Sequence, residues 1–305
     1  MYLYHFGIRE LPFTLTPNTS YFYGLPSHRQ ALEVLLTALK SGEGFIKVTG
    51  EVGTGKTLLC RKLLNELPDH FVAAYIPNPY LSPSELRRAV ASELNVVLSE
   101  DADQQEFTQR IQKKIIEYNQ VHKGVVLIVD EAQALPLESL EALRLFTNLE
   151  TESRKLLQVV LFGQPELDEK LSLPQLRQFK QRITFTYQLD VMDEDQTFHY
   201  VKHRMTVAGY RGADAFSRRH CKLLYKASRG TPRIVNVLCH KSLMLAYGEG
   251  GNIIDRKHIK MAIADTDSTY SMGSLWPWLG LLLLTTAIAA VSYYWHFGLN
   301  WRAWL

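Results

Sequence analysis

Cysteine is scarce: Cys60, Cys221 and Cys239 stand singly in a chain of 305 residues. Such spacing supports neither a disulfide framework nor a zinc site, and it suits buried thiols in a reducing compartment. Excess charge is missing too, with 34 Lys+Arg against 31 Asp+Glu and a formal net charge of +3. No Lys/Arg block is dense enough to serve as a basic tail, so composition argues neither for nor against a nucleic-acid partner. The opening MYLYHFGIRE lacks the basic patch and apolar run of a secretory signal, which places the main domain in the cytosol. There is no internal repeat and no low-complexity tract. What remains is enough chain for one large domain or two moderate ones, each with its own core.

Residues Tyr2–Tyr23 are rich in Pro, Thr and aromatics without a lasting period, and read as an irregular segment packed onto the main domain. Ser27–Ser41 carries apolar residues at Ala31, Leu32, Leu35, Leu36 and Leu39, a helical spacing. Strands are expected at Phe45–Gly50, Phe71–Ile76, Val125–Val129, Leu156–Gly163 and Ile183–Leu189. Helices alternate with them: one ending before Pro68, one capped by Ser82 with Pro83 and Glu85, one over Gln105–Tyr118 and one over Leu137–Leu149. That alternation predicts an α/β fold, a parallel sheet with helices on both faces, over residues 1–190. Strands then stop. Asp193–Val207, Phe216–Ala227, Pro232–Tyr247 and Arg256–Ala264 predict an all-helical domain over residues 191–266.

The run G50-E-V-G-T-G-K-T57 fits G-x-x-x-x-G-K-[ST] in full and lies between a predicted strand and a predicted helix. Glycines let backbone N–H groups turn inward around phosphate oxygens at the positive end of the following helix. The cradle is assigned to Gly50, Glu51, Val52, Gly53, Thr54, Gly55, Lys56, Thr57 and Leu58. Lys56 supplies a mobile cation for the β- and γ-phosphates, and the Thr57 hydroxyl coordinates Mg2+. VVLIVDE places Asp130 at the carboxyl end of a buried strand, where open α/β sheets bind their ligands. Asp130 is expected to hold the metal, mostly through its waters, and Glu131 to orient or deprotonate the attacking water.

The pairing of GEVGTGKT with VVLIVDEAQ, together with LLQVVLFGQPEL and SRGTPRIVNVLCHKSL, resembles the AAA+ ATPases. More narrowly it is similar to the general secretion pathway protein A (ExeA) family, including its pilus-biogenesis members that serve a mannose-sensitive haemagglutinin type IV pilus. The resemblance covers roughly residues 1–265. It implies a P-loop NTPase fold with a helical lid, ATP with Mg2+, and a homo-oligomer forming a ring or partial ring. It also implies roles for single residues. Gln164 stands where a polar side chain senses the γ-phosphate, although Asn, Thr or Ser is more usual there. Arg182, with Arg177 second, matches the arginine that reaches a neighbouring subunit's nucleotide. Arg233 matches the lid arginine that touches the nucleotide from above. Adenine rests on the resemblance, and no Asn/Thr-Lys-x-Asp element for guanine is visible. The aromatic segment Tyr21–Tyr23 is placed near the base.

From Ser268 to Trp301 the titratable His296 is the one exception to a run without acidic or basic side chains. After a linker at 267–274, residues 275–295 are long enough for a ~30 Å hydrocarbon core, with Trp276, Trp278, Tyr293, Tyr294 and Trp295 at its ends. Arg256, Lys257 and Lys260 precede the span and only Arg302 follows it. These features predict a single-pass inner-membrane anchor with a short periplasmic tail at 296–305. Two functions compete: an ATPase partnered with pilus or secretion assembly proteins, and a DNA-interacting helper ATPase of the transposition or initiator type. The span, and the lack of a winged-helix or basic segment after the lid, speak against nucleic acid.

Overall fold

The computed structural model describes residues 2–77, 79–97, 104–146, 155–270 and 285–292. Contacts divide the chain into a unit of Met1–Thr269 and a second of Tyr270–Leu305.

Five strands form the sheet of the first unit: β1 (Phe45–Gly50), β2 (Phe71–Ile76), β3 (Gly124–Val129), β4 (Leu157–Gly163) and β5 (Ile183–Leu189). All pair in parallel, in the order β2-β3-β4-β1-β5. Alternate residues serve opposite faces, as the pleat requires. Val125, Leu127 and Val129 pack with α4 (Pro83–Glu93), α5 (Gln104–Gln120) and α6 (Leu137–Phe146). Val126 and Ile128 turn the other way, toward α2 (Pro26–Lys40) and α3 (Lys56–Glu66). A strand covered on both faces has no polar position to spare, which is why β3 and β4 are continuously apolar apart from the buried Gln158.

Local signals explain the element ends. Ser82 and Glu85 form the predicted capping box on α4, with Pro83 as the first helical residue. The helix predicted over Leu137–Leu149 runs as α6 to Phe146, and 147–149 lie outside the described residues. Three short helices had no expectation: Tyr2–His5 in the segment read as irregular, and α7 (Glu166–Leu171) and α8 (Arg177–Lys180) between β4 and β5. Each is too short to show a period.

After β5 come α9 (Glu194–Val207), α10 (Arg218–Ser228), α11 (Pro232–Gly248) and α12 (Arg256–Ala264). They share a core with the first residues of the chain, including the four-residue α1 (Tyr2–His5) and a 3-10 turn at Thr19–Tyr21. Tyr2, Phe6, Ile8, Phe13 and Tyr21 are buried against Met192, Phe198, Val201, Leu238 and Leu243. The aromatic-rich opening therefore packs on the helical lid, where apolar area is available, rather than on the sheet, whose central strands are already covered on both faces.

In the second unit, residues 285–292 are helical and exposed. The rest of the predicted span 275–295, residues 271–274 of the linker and the whole of 296–305 lie outside the described residues. Among the described residues no helix is long and apolar enough to cross a membrane.

Candidate functional site

Strand register fixes the site. Thr49 lies opposite Gly163, and Val129 opposite Leu161, so Gly50, Asp130 and Gln164 leave the carboxyl edge of the sheet side by side. Ligands in open α/β sheets bind at this edge.

The loop after β1 closes on itself through the Thr54 hydroxyl, which donates to the Glu51 carbonyl at 2.9 Å. Gly55 follows with φ +99°, turning the chain into α3 so that the free N–H groups of the first turn face the mouth of the site. Lys56 opens α3, and its Nζ donates to the carbonyls of Gly50 (2.8 Å) and Glu51 (3.0 Å). Burial pushes the Lys56 ammonium below the ordinary lysine range, against the opposing pull of Glu131, Asp130, Glu51 and Glu166.

Asp130 is 2 % exposed. Burial raises its carboxyl above the usual range, while the Thr57 hydroxyl and the Glu131 N–H, at 3.0 Å, act the other way. Glu131 sits in the left-handed region at φ +52°, which swings its side chain away from the line of β3. Its Oε2 accepts from Gln133 Nε2 (2.6 Å) and from Gln164 Nε2 (2.9 Å). Burial would raise this carboxyl, but the two amides and Lys56 outweigh it and hold Glu131 below the usual range. Gln133 also accepts the Gln164 N–H through Oε1 at 3.0 Å, so one amide joins the ends of β3 and β4.

Thr57 and Asp130 are hydrogen-bonded hard-oxygen donors side by side. Among the described residues no group of three acidic, His or Cys side chains gathers to hold a metal. Two oxygen donors facing a phosphate cradle fit Mg2+, which keeps most of its waters and borrows phosphate oxygens.

The lid comes down on the loop. Arg233, second residue of α11, donates its backbone N–H to the Gly53 carbonyl at 3.2 Å. A Cβ on Gly53 would stand 2.5 Å from the Arg233 Cβ, and Gly53 has φ +83°. Only glycine meets both conditions. A cavity of about 290 Å³ opens beside this contact, bounded by residues of the loop, by Glu131 and Gln164, by Arg233 and Asn236, and by the segment Thr14–Leu25. Tyr21, Phe22 and Tyr23 are in its wall. Arg182 and Arg177 are not. Arg182 donates to the Arg144 carbonyl at 3.0 Å, and Arg177 is exposed on α8.

Three residues at or behind the wall had no expectation. His28, 5 % exposed, binds the Thr54 carbonyl through Nε2 at 2.9 Å. The same Nε2 lies 2.9 Å from where a Cβ on Gly55 would be. Burial lowers its pKa against the opposing Thr54 bond, so the ring is neutral near pH 7 and Nε2 is the donor. Arg204, also 5 % exposed, donates to the Tyr200 hydroxyl (2.9 Å) and the Pro12 carbonyl (2.5 Å) and stacks 4.7 Å above the Tyr21 ring. Gln133 is the third. In sequence, DEAQ and the run before QAL offered only residue types. The contacts join positions up to 192 residues apart.

Residues 39–171 match the family described as "AAA domain". Over 291 residues, 94% of this chain, the sequence is 38% identical to General secretion pathway protein A of Aeromonas hydrophila. The matched part is 53% of that protein, so the chain spans about half the length of the curated relative it matches. Solved structures share the fold at lower identity. The Drosophila ORC structure bound to DNA superposes with a TM-score of 0.65 at 20% identity, covering 87% of this chain and 66% of that one. Cdc6p from Pyrobaculum aerophilum gives 0.61 at 19% identity, with 81% and 70% covered. A Walker-type ATPase of Pyrococcus abyssi gives 0.55 at 16%, with 82% and 75% covered.

Proposed function

We propose that the chain is a membrane-anchored member of the AAA+ ATPases of the general secretion pathway protein A family and hydrolyses ATP to support assembly of a type IV pilus or type II secretion-like apparatus at the inner membrane. One observation supports the chemistry above all others. The phosphate loop, Glu131, Gln164 and the lid arginine border one cavity, although they come from four separate stretches of chain.

In this reading the loop amides and Lys56 surround the phosphates, and Lys56 exchanges two carbonyl partners for phosphate oxygens. Thr57 and Asp130 hold Mg2+, which when bound offsets charge on the β- and γ-phosphates. Glu131, kept ionised by Gln133 and Gln164, accepts the proton of the attacking water; Gln164 can sense the γ-phosphate through that same amide. Arg233 closes over the nucleotide as the lid at 191–266 tilts. Arg182 or Arg177, both outside the cavity of their own chain, serves a neighbouring subunit in a ring or partial ring. Adenine stacks beside Tyr21–Tyr23. The span at 275–295 keeps the ATPase next to its assembly partners in the bilayer, with 296–305 periplasmic.

Lys56→Ala should abolish ATP binding and turnover while leaving the fold intact by circular dichroism. Normal affinity and turnover in that variant would remove the basis of the reading. A second function, a DNA-interacting helper ATPase, is favoured by the fold shared with the DNA-bound ORC structure. Tight, salt-sensitive duplex binding by a chain ending before residue 275 would move the assignment there.

A further inference from the structure

The ATPase site leaves unused a cleft of about 900 Å³ between the first turns of α10 and α12. Its lining carries Arg218, Arg219, Lys222, Lys226 and Arg256 against one carboxylate, Asp255. Arg218 pairs with Asp195 at 2.6 Å and Lys222 with Glu194 at 3.5 Å, both exposed pairs at the rim. Among the described residues, Arg219, Lys226 and Arg256 make no ion pair, and all three are exposed. The first turn of α10 has no acidic residue and its cap is the neutral Ser217, so the positive end of that dipole adds to the side-chain charge, whereas Asp255 caps α12. Arg256 and Lys260, four apart on α12, extend the same positive face toward the end of that helix. A concave surface with three cations outside any ion pair is a receptor for phosphate-bearing anions.

We propose that this cleft seats anionic phospholipid headgroups of the membrane to which the chain is tethered. The proposal rests on the membrane-anchored reading above. Only ten residues, 265–274, separate α12 from the apolar run beginning at Leu275, a reach of at most roughly 35 Å. A tether that short keeps the cleft at high effective concentration of headgroups, whereas a soluble polyanion has no such advantage. Each uncommitted cation contributes roughly fivefold to partitioning onto an anionic surface, so losing two costs roughly thirtyfold. Headgroup contact would orient the lid relative to the bilayer, and with it the arginine that closes the ATP site.

The test uses the full chain reconstituted into vesicles of phosphatidylcholine alone, or of phosphatidylcholine mixed with phosphatidylglycerol. Lysine acetylation followed by mass spectrometry reads the cleft. In the anionic vesicles Lys222 and Lys226 should react several-fold more slowly, and high salt should restore their reactivity. Lys113, exposed on α5, should not change. The double variant R219Q/R256Q, which keeps both reporter lysines, should lose the protection while retaining ATPase activity. Equal reactivity in the two vesicles, or protection that survives in R219Q/R256Q, overturns the proposal. So does equal protection by short duplex DNA or by inorganic phosphate without vesicles. If the chain washes off both vesicles in carbonate, the tether is what fails. The cleft is then read by cosedimentation: binding to anionic but not neutral vesicles upholds it, and binding to neither ends it.

Discussion

Replacing Gly53 with alanine separates two things that one residue does. The pattern G-x-x-x-x-G-K-[ST] leaves this position open, so the phosphate cradle alone does not ask for glycine. The structure does, twice. A left-handed φ of +83° costs an L-residue roughly 1–2 kcal/mol wherever the lid stands. That part falls on overall stability and should lower Tm by only a few degrees in a protein of this size. The second part falls on the lid. A Cβ at 2.5 Å from the Arg233 Cβ forces the start of α11 to retreat and breaks the Arg233 N–H to Gly53 carbonyl bond. If Arg233 reaches the nucleotide, its charge-assisted contact is worth about 1.5–3 kcal/mol, so ATP affinity should drop roughly ten- to hundred-fold. Equilibrium titration with a fluorescent ATP analogue measures this. Arg233→Ala should show a similar loss, and the double variant should show little more, because both changes remove one contact. Wild-type affinity in Gly53→Ala, or losses that add in the double variant, would refute the argument.

Gln133→Ala removes one of two amides that hold the Glu131 carboxyl low, so the acid limb of the kcat profile should move to higher pH; an unmoved limb would mean Glu131 is not the titrating base. His28→Ala leaves the Thr54 carbonyl without its donor and should cost about 2 kcal/mol of stability, with partial recovery in His28→Gln, measured by urea unfolding. Because burial holds His28 below its ordinary pKa, the unfolded chain takes up the proton first, and this stabilisation erodes as pH falls below about 6.5. His28→Gln should therefore unfold with a shallower acid dependence than the wild type. Specific ATPase activity should rise with protein concentration and lose that rise in Arg182→Ala or Arg177→Ala; activity that is flat across a wide range would exclude a trans arginine.

Much of the sheet is legible in the chain because each strand is a short run bounded by a turn, and the central strands β1, β3 and β4 are buried on both faces. Phe45–Gly50, Phe71–Ile76 and Ile183–Leu189 have the same limits in sequence and structure. The phosphate loop is equally visible, since its chemistry is written in eight consecutive residues. What escaped depends on contacts across the chain. Nothing local tells Tyr2 or Phe13 to choose the lid over the sheet; that choice follows from which apolar surfaces the other elements leave uncovered. His28 looks like one more polar residue opening an amphipathic helix until Thr54, 26 positions away, is folded against it. Gln133 and Gln164 meet on Glu131 only after β3 and β4 are in register.

The burial of Tyr2, Phe6, Ile8 and Phe13 against helices that end near residue 264 has a consequence during synthesis. These aromatics leave the ribosome well before their partners are translated. For most of elongation the nascent chain carries a sticky leader with nowhere to go, a condition that invites chaperone capture or misassociation. Moving the first 25 residues to a position after the lid, as a circular permutant, should therefore speed productive folding without altering the finished protein.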